Sequence, residues 1–251
     1  MNNKFYFEKQ FGLFYGKLND NKLHRHYALQ ISLSIHDEII LKTEQKTYEQ
    51  TNFFIPSRVK HQISNSEKQL IILINPLSCL GHQFYIKYDT SKVSFLSENL
   101  RNSLFKILKN YEDEQITFDN FCKEIKKSLL EYQCNCENNN HLEDDRIKKA
   151  IDFMDKNFEK ILSMEQMADF CALSSTRFLH LFKEKTRLNF RRYQLWNKLI
   201  FSLPYLSSHS ITETAHTFGF TDSSHYTRTF NETFGVTPKF FKLFSNQLKA
   251  K

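Results

Sequence analysis

Two stretches of this chain decide its reading: residues 163–186, SMEQMADFCALSSTRFLHLFKEKT, and residues 210–238, SITETAHTFGFTDSSHYTRTFNETFGVTP. Each opens with a hydroxyl residue three positions before Gln or Glu (Ser163 and Gln166, Ser210 and Glu213), the signature of a capping box. Each predicts a short helix, near 164–170 and 211–218, carrying a small apolar residue, Ala168 or Ala215. A turn follows at Ala172-Leu173-Ser174 or Gly219-Phe220-Thr221. A second helix then begins, with Phe178, Leu181 and Phe182 in one copy and Tyr226, Phe230 and Phe234 in the other. The copies are offset by 47 residues before the turn and 48 after it, so the second turn holds one extra residue.

A short helix, a tight turn and a longer helix make a helix-turn-helix, in which the first helix braces the second and the second offers side chains to base edges. The charge supports that use. The chain carries 35 Lys and Arg against 28 Asp and Glu, and residues 160–251 hold 13 of the former and 6 of the latter, so the +7 excess lies there. A basic segment beside a neutral one suits a polyanion. After the core-facing positions are subtracted, the second helices leave outward polar residues, and Arg228 is suited to a bidentate guanine contact. Arg177, Lys183, Lys185, Arg191, Arg192 and Lys239 suit phosphates.

Residues 160–245 resemble the DNA-binding domain of AraC/XylS-type bacterial transcription regulators. The residues that carry the resemblance are Met164-Glu-Gln-Met-Ala168, Phe178-Leu-His-Leu-Phe182, Ala215-His-Thr-Phe-Gly-Phe220, Asp222-Ser-Ser-His-Tyr-Thr-Arg-Thr-Phe230 and Phe234-Gly-Val-Thr-Pro238. The resemblance implies two helix-turn-helix units joined by a long helix and reading successive major grooves. Thr176, Leu179 and His180, then Ser224, His225 and Arg228, are the base-facing positions it implies. Three residues depart from the family pattern. Arg187 stands where glycine is usual, Lys198 where the joining helix usually has arginine, and Pro204 falls inside that helix. Pro204 removes a hydrogen bond to the carbonyl of Ile200, so the helix Phe190–Leu203 is expected to end early or kink.

Upstream, residues 5–90 read as strands: Leu29–Ile35 alternates at period two, and Ile39–Leu41, Phe53–Ile55 and Leu70–Ile74 are short apolar runs. Residues 93–131 change to a helical period, and 132–145 is a polar, Asn-rich linker. The expected organisation is α+β: a domain at 1–131 with a β-barrel (5–90) and flanking helices (93–131), the linker, and a helical domain at 146–251 with units near 163–185 and 210–234. The apolar stripes of the flanking helices suit packing on the barrel or a homodimer seam equally.

His24 and His26 lie two apart on a strand and so on one face, and His61 on another stretch completes a three-histidine set. The spacing resembles the cupin barrel motifs, with Gln30 at the usual glutamate and Arg58 at a usual glycine. His24, His26, Gln30 and His61 are therefore the candidate residues for a small-molecule effector or a divalent metal (Zn, Fe, Ni or Cu). Tyr15, Tyr27 and Arg58 are candidates for the same mouth.

No apolar run approaches the roughly 20 residues that span a membrane, and MNNKFYFEKQ lacks the apolar core of a signal peptide. The five scattered cysteines fit reduced thiols, and the expected location is the cytoplasm. Cys134-Asn-Cys136 is a weak redox or metal motif against plain linker cysteines. The function expected is a DNA-binding transcription regulator, not an enzyme, with double-stranded DNA, an effector and RNA polymerase as partners. The alternative is a metal-dependent cupin dioxygenase or isomerase with a basic helical appendage.

Overall fold

The computed structural model describes residues 3–18, 21–65, 67–132, 142–158, 160 and 162–244. The chain divides into two compact units, residues 1–135 with 231–251, and residues 136–230. Residues 231–251, expected in the helical domain, thus group with the first unit. Cys134 and Cys136 lie outside the described residues.

The first unit is mixed. Its strands are β1 (Lys4–Phe7), β2 (Phe11–Gly16), β3 (Leu29–Leu33), β4 (Ile39–Thr43), β5 (Thr47–Gln50), β6 (Asn52–Ile55), β7 (His61–Ser64) and β8 (Gln69–Ile74). They form an antiparallel five-stranded sheet, β1-β2-β8-β3-β6, and a three-stranded sheet, β5-β4-β7. The expected cupin-like β-domain is thus present, built as two antiparallel sheets. Short bridges, His24 to His61 and Phe54 to Ser94, extend the pairing outside the named strands.

Side-chain alternation sorts the larger sheet. Leu29, Ile31 and Leu33 of β3 and Leu70, Ile72 and Ile74 of β8 enter one core, with Ile31 opposite both Ile72 and Phe54. A one-residue slip would turn this whole set to the other face, so the register is strongly fixed. The helices α1 (Cys79–Lys87), α2 (Glu98–Glu112) and α3 (Phe118–Leu130) supply the rest of that core through Leu80, Phe84, Leu100, Leu104, Leu108, Phe121, Ile125 and Leu129. The stripes of α2 and α3 are therefore used within the chain. Each fully buried leucine contributes about 1.5–3 kcal/mol.

The helix α1 corrects the all-strand reading of 5–90. Ser78 caps it by accepting from Gly81 N at 3.0 Å. At Gly81 a Cβ would come 2.2 Å from the carbonyl oxygen of Asn75, so the turn before the helix closes only over glycine. Tyr15 also departs from expectation. It packs edge-on against Tyr111 and donates to Glu112 Oε1 at 2.9 Å, inside the helix-facing core and not beside the histidines.

The other face of the sheet carries two small clusters. Ile39, Leu41, Phe53, Ile55 and Ile63 lie between β6 and the smaller sheet. Phe14, Leu18 and Ile71 form the second, and Val236 and Phe240 pack on it. Phe240 belongs to α10 (Pro238–Phe244), whose Phe241 is buried with its ring 4.6 Å from that of Phe5.

The second unit is helical: α4 (Asp145–Lys156), α5 (Met164–Phe170), α6 (Ser175–Thr186), α7 (Phe190–Ser208), α8 (Ile211–Thr217) and most of α9 (Ser223–Phe234). The helix α7 runs through Pro204 to Ser208 without ending, which corrects the expected early stop. A proline inside a helix costs about 3 kcal/mol. Leu203 and Leu206 are 2% and 0% exposed, and at about 1.5–3 kcal/mol each their burial offsets that cost. Among the described residues, no helix is long and apolar enough to cross a membrane.

Candidate nucleic-acid interface and histidine cluster

The two copies are built from the same hydrogen bonds. Ser163 Oγ accepts from Gln166 N at 3.1 Å while Gln166 Oε1 accepts from Ser163 N at 3.0 Å. Ser210 Oγ accepts from Glu213 N at 3.1 Å while Glu213 Oε2 accepts from Ser210 N at 2.8 Å. Both capping boxes are thus closed. At the turns, Ala172 N donates to Asp169 O and Leu173 N to Ala168 O, and 47 residues later Gly219 N donates to His216 O and Phe220 N to Ala215 O. Ala172 and Gly219 both adopt left-handed backbone, φ 53° and 65°.

After the turn the offset becomes 48. Ser174 Oγ accepts from Arg177 N at 3.3 Å, and Asp222 Oδ1 from His225 N at 2.7 Å. That bond, with the neighbouring Ser224 amide, holds the Asp222 carboxyl below its usual range. Phe178 and Phe182 anchor α6, and Tyr226 and Phe230 anchor α9, all at most 1% exposed. The joining helix α7 is tied to the second copy at two points. Ser202 Oγ and Tyr226 Oη share a bond of 2.8 Å, and buried Lys198 donates from Nζ to Gly219 O at 3.1 Å. Burial lowers the Lys198 pKa.

With the anchors turned inward, the six residues expected to face bases differ in exposure. Thr176, His180, Ser224 and Arg228 are exposed, and Leu179 and His225 are half-buried, the latter with its ring edge-on to Phe220. Of the phosphate candidates, Arg177, Lys183, Arg191 and Arg192 are exposed on α6 and at the start of α7. Lys185 is half-buried, 3.6 Å from both Glu143 and Glu184. Lys239 is exposed on α10, in the first unit.

The first unit brings its three histidines together. His24, His26 and His61 are at most 5% exposed, and one ring nitrogen from each lies within 4.8 Å of the others. The backbones of His24 and His61 pair reciprocally, at 2.9 and 2.8 Å. Each Nδ1 faces a main-chain oxygen: His24 that of Lys22 (2.8 Å), His26 that of Ala28 (3.0 Å) and His61 that of Val59 (2.9 Å). A carbonyl only accepts, so each Nδ1 carries the proton. Burial pushes all three pKa values down, that of His24 to about 3, so the rings are neutral and each Nε2 holds a lone pair.

Gln30 completes the set. Its Oε1 lies 2.7 Å from His26 Nε2 and 3.3 Å from His61 Nε2, and its amide nitrogen donates to Ser32 Oγ at 2.9 Å. An amide oxygen facing two lone pairs is unfavourable unless a cation lies between them or the amide turns round. Three imidazoles held by Nδ1–H···O=C bonds and one neutral oxygen form a donor set that fits a borderline divalent ion. Zn–N bonds of about 2.0–2.1 Å place ligand nitrogens about 3.4 Å apart, so the rings would draw in by about 1 Å. Arg58 takes left-handed backbone at φ 68° and donates its N–H to His26 O at 2.8 Å, which fixes the segment before β3 that carries His26, a residue expected on a strand but lying outside one.

Residues 167–242 match the family model described as helix-turn-helix domain. Among curated proteins, the chain is similar to the regulatory protein PocR of Salmonella typhimurium strain LT2, 28% identical over 101 residues, which cover 39% of this chain and 33% of that one. It is also similar to the HTH-type transcriptional activator RhaS of Escherichia fergusonii, 32% identical over 116 residues, covering 45% and 39%. The matches thus span about a third to two fifths of those relatives. Among solved structures, an apo ToxT variant from Vibrio cholerae strain SCE256 superposes with a TM-score of 0.62 at 13% identity, over 94% of this chain and 98% of that one. Wild-type ToxT from the same strain, bound to an unsaturated fatty acid, gives 0.59 at 12% identity over 97% and 99%. At such identities these likenesses establish the fold.

Proposed function

We propose that the chain, whose residues 167–242 match a helix-turn-helix family model, is a sequence-specific regulator of transcription of the AraC type acting on double-stranded DNA. The observation that carries the reading is the register of the two copies: equivalent caps and turn bonds at offsets of 47 and 48, each presenting exposed polar side chains on its second helix. Thr176, Leu179 and His180, with Ser224, His225 and Arg228, read base edges. Arg177, Lys183, Lys185, Arg191, Arg192 and Lys239 meet phosphates, which set affinity and salt dependence. RNA polymerase is the partner at the promoter, and the cytoplasm is where this work is done.

The test is fluorescence anisotropy with a duplex from the region upstream of its own gene. Affinity is expected to fall steeply and linearly in log–log form as salt rises. Arg191→Ala is expected to weaken all sequences alike and to lower the salt slope by about 1. Duplex binding that ignores salt and sequence would sink the proposal.

The effector site is the cluster of His24, His26, Gln30 and His61. The specific observation is the inward set of three lone pairs, each fixed by a main-chain carbonyl behind it. A zinc-class divalent ion bound there would act as a signal, its chemistry being the ordering of three rings. Cobalt(II) substitution reads this directly: tetrahedral absorption bands are expected, and their loss in His61→Ala. No bands in the intact protein would leave a small organic effector as the occupant.

A further inference from the structure

The histidine cluster touches one more part of the chain. Lys22, whose carbonyl takes the His24 Nδ1 proton, donates its own N–H to Gly235 O at 2.9 Å. Gly235 follows α9 directly and is buried with φ 71°. A Cβ there would stand 2.5 Å from His24 Nδ1 and 2.9 Å from both Lys22 O and Asn21 Oδ1. So the backbone that ends the second reading helix lies in van der Waals contact with a ring of the cluster, and only glycine fits. Beyond it, Val236 and Phe240 cover Phe14, Leu18 and Ile71. Yet residues 231–242 lie inside the helix-turn-helix match.

We propose that residues 231–244 are the output of the histidine cluster: an ion on the three Nε2 atoms tightens the clasp between Lys22 and Gly235 and so couples metal to DNA affinity. This rests on the cluster being a metal site. Two physical effects act in the same direction. A cation on Nε2 makes Nδ1–H a stronger donor, which holds the Lys22 backbone, and so the residue whose N–H bonds Gly235 O, more firmly in place. Contraction of the rings by about 1 Å moves His24, whose ring Gly235 abuts. Coupling is reciprocal, so whatever the ion does to the segment, the segment does to the ion's affinity.

The experiment is amide hydrogen exchange on the full chain, with zinc or with a chelator, beside duplex anisotropy under the same conditions. With zinc, the amides of Lys22 and of 235–244 are expected to exchange about fivefold more slowly or better, and DNA affinity to shift by a comparable factor. In Gly235→Ala the cobalt bands are expected to persist while both responses vanish. Phe240→Ala, which leaves the clasp untouched, provides the second variant: it is expected to keep the bands and lose most of the protection over 236–244. Cobalt bands in the wild type with no change in exchange at 235–244 would overturn the coupling and leave the site standing. No bands at all would overturn both. A zinc response in Gly235→Ala equal to that of the wild type would also overturn the coupling.

Discussion

In the first helix-turn-helix copy the left-handed positions are filled by Ala172 (φ 53°) and Arg187 (φ 58°), and in the second the equivalent positions hold Gly219 (φ 65°) and Gly235 (φ 71°). The hydrogen bonds around the two turns are otherwise the same. The first copy accepts a Cβ at both places, at about 1–2 kcal/mol each. In the second copy, Gly219 O receives the buried Lys198 ammonium and Gly235 abuts His24, so two of the chain's five glycines mark where that copy meets other elements. A repeat thus keeps its internal bonds and varies its exits. Arg187 thus holds the same left-handed backbone that Gly235 holds in the second copy.

The comparison is broken most severely at the anchors. Phe182→Ala and Phe230→Ala occupy equivalent sites, both at most 1% exposed, and each is expected to lose about 3–5 kcal/mol in urea unfolding. If one cost nothing, the copies would not be equivalent. At the reading positions, Arg228→Ala is expected to lose about 1–3 kcal/mol of discrimination at one base pair, measured by competition with single-substituted duplexes. Gly219→Ala is expected to cost about 1 kcal/mol, whereas Ala172→Gly is expected to gain about 0.5–1 kcal/mol, because the backbone angle is the same and only the Cβ differs. Equal signs at both sites would contradict the strain argument.

Lys198 gives the smallest effect and a pH signature. Its folded pKa is lowered by burial from the usual value of about 10.4, so the unfolded chain binds the proton more tightly. Stability should therefore rise with pH through the window below that value, as the buried ammonium loses its charge. Lys198→Met is expected to remove this rise, read as the difference between thermal melts on either side of the window.

The sequence displayed the tandem copies because their signals are local: a hydroxyl and a Gln or Glu three residues apart, an apolar stripe, a turn former. The same holds for α2 and α3, whose stripes all enter one core. What it hid depends on distant contacts. Pro204 reads as a stop, and only the burial of Leu203 and Leu206 carries α7 past it. The helix α1 sits after an apolar strand and Pro76, and its Ser78 cap was the available signal. His24, His26 and His61 were identifiable by spacing, but Gly235 beside His24 was not, because 211 residues separate them in the chain. Tyr15, which sequence proximity alone put beside the histidines, enters the helix-facing core, because proximity along the chain does not say which face of its strand meets the helices.

Hydroxyl-radical footprinting on the region upstream of its own gene, with intact protein and with Arg228→Ala, measures the central claim that two equivalent reading heads act on one DNA face. The account predicts two protected patches about one helical turn, 10–10.5 base pairs, apart, with the patch under α9 lost in Arg228→Ala. A single patch, or two patches that Arg228→Ala weakens equally, would contradict it.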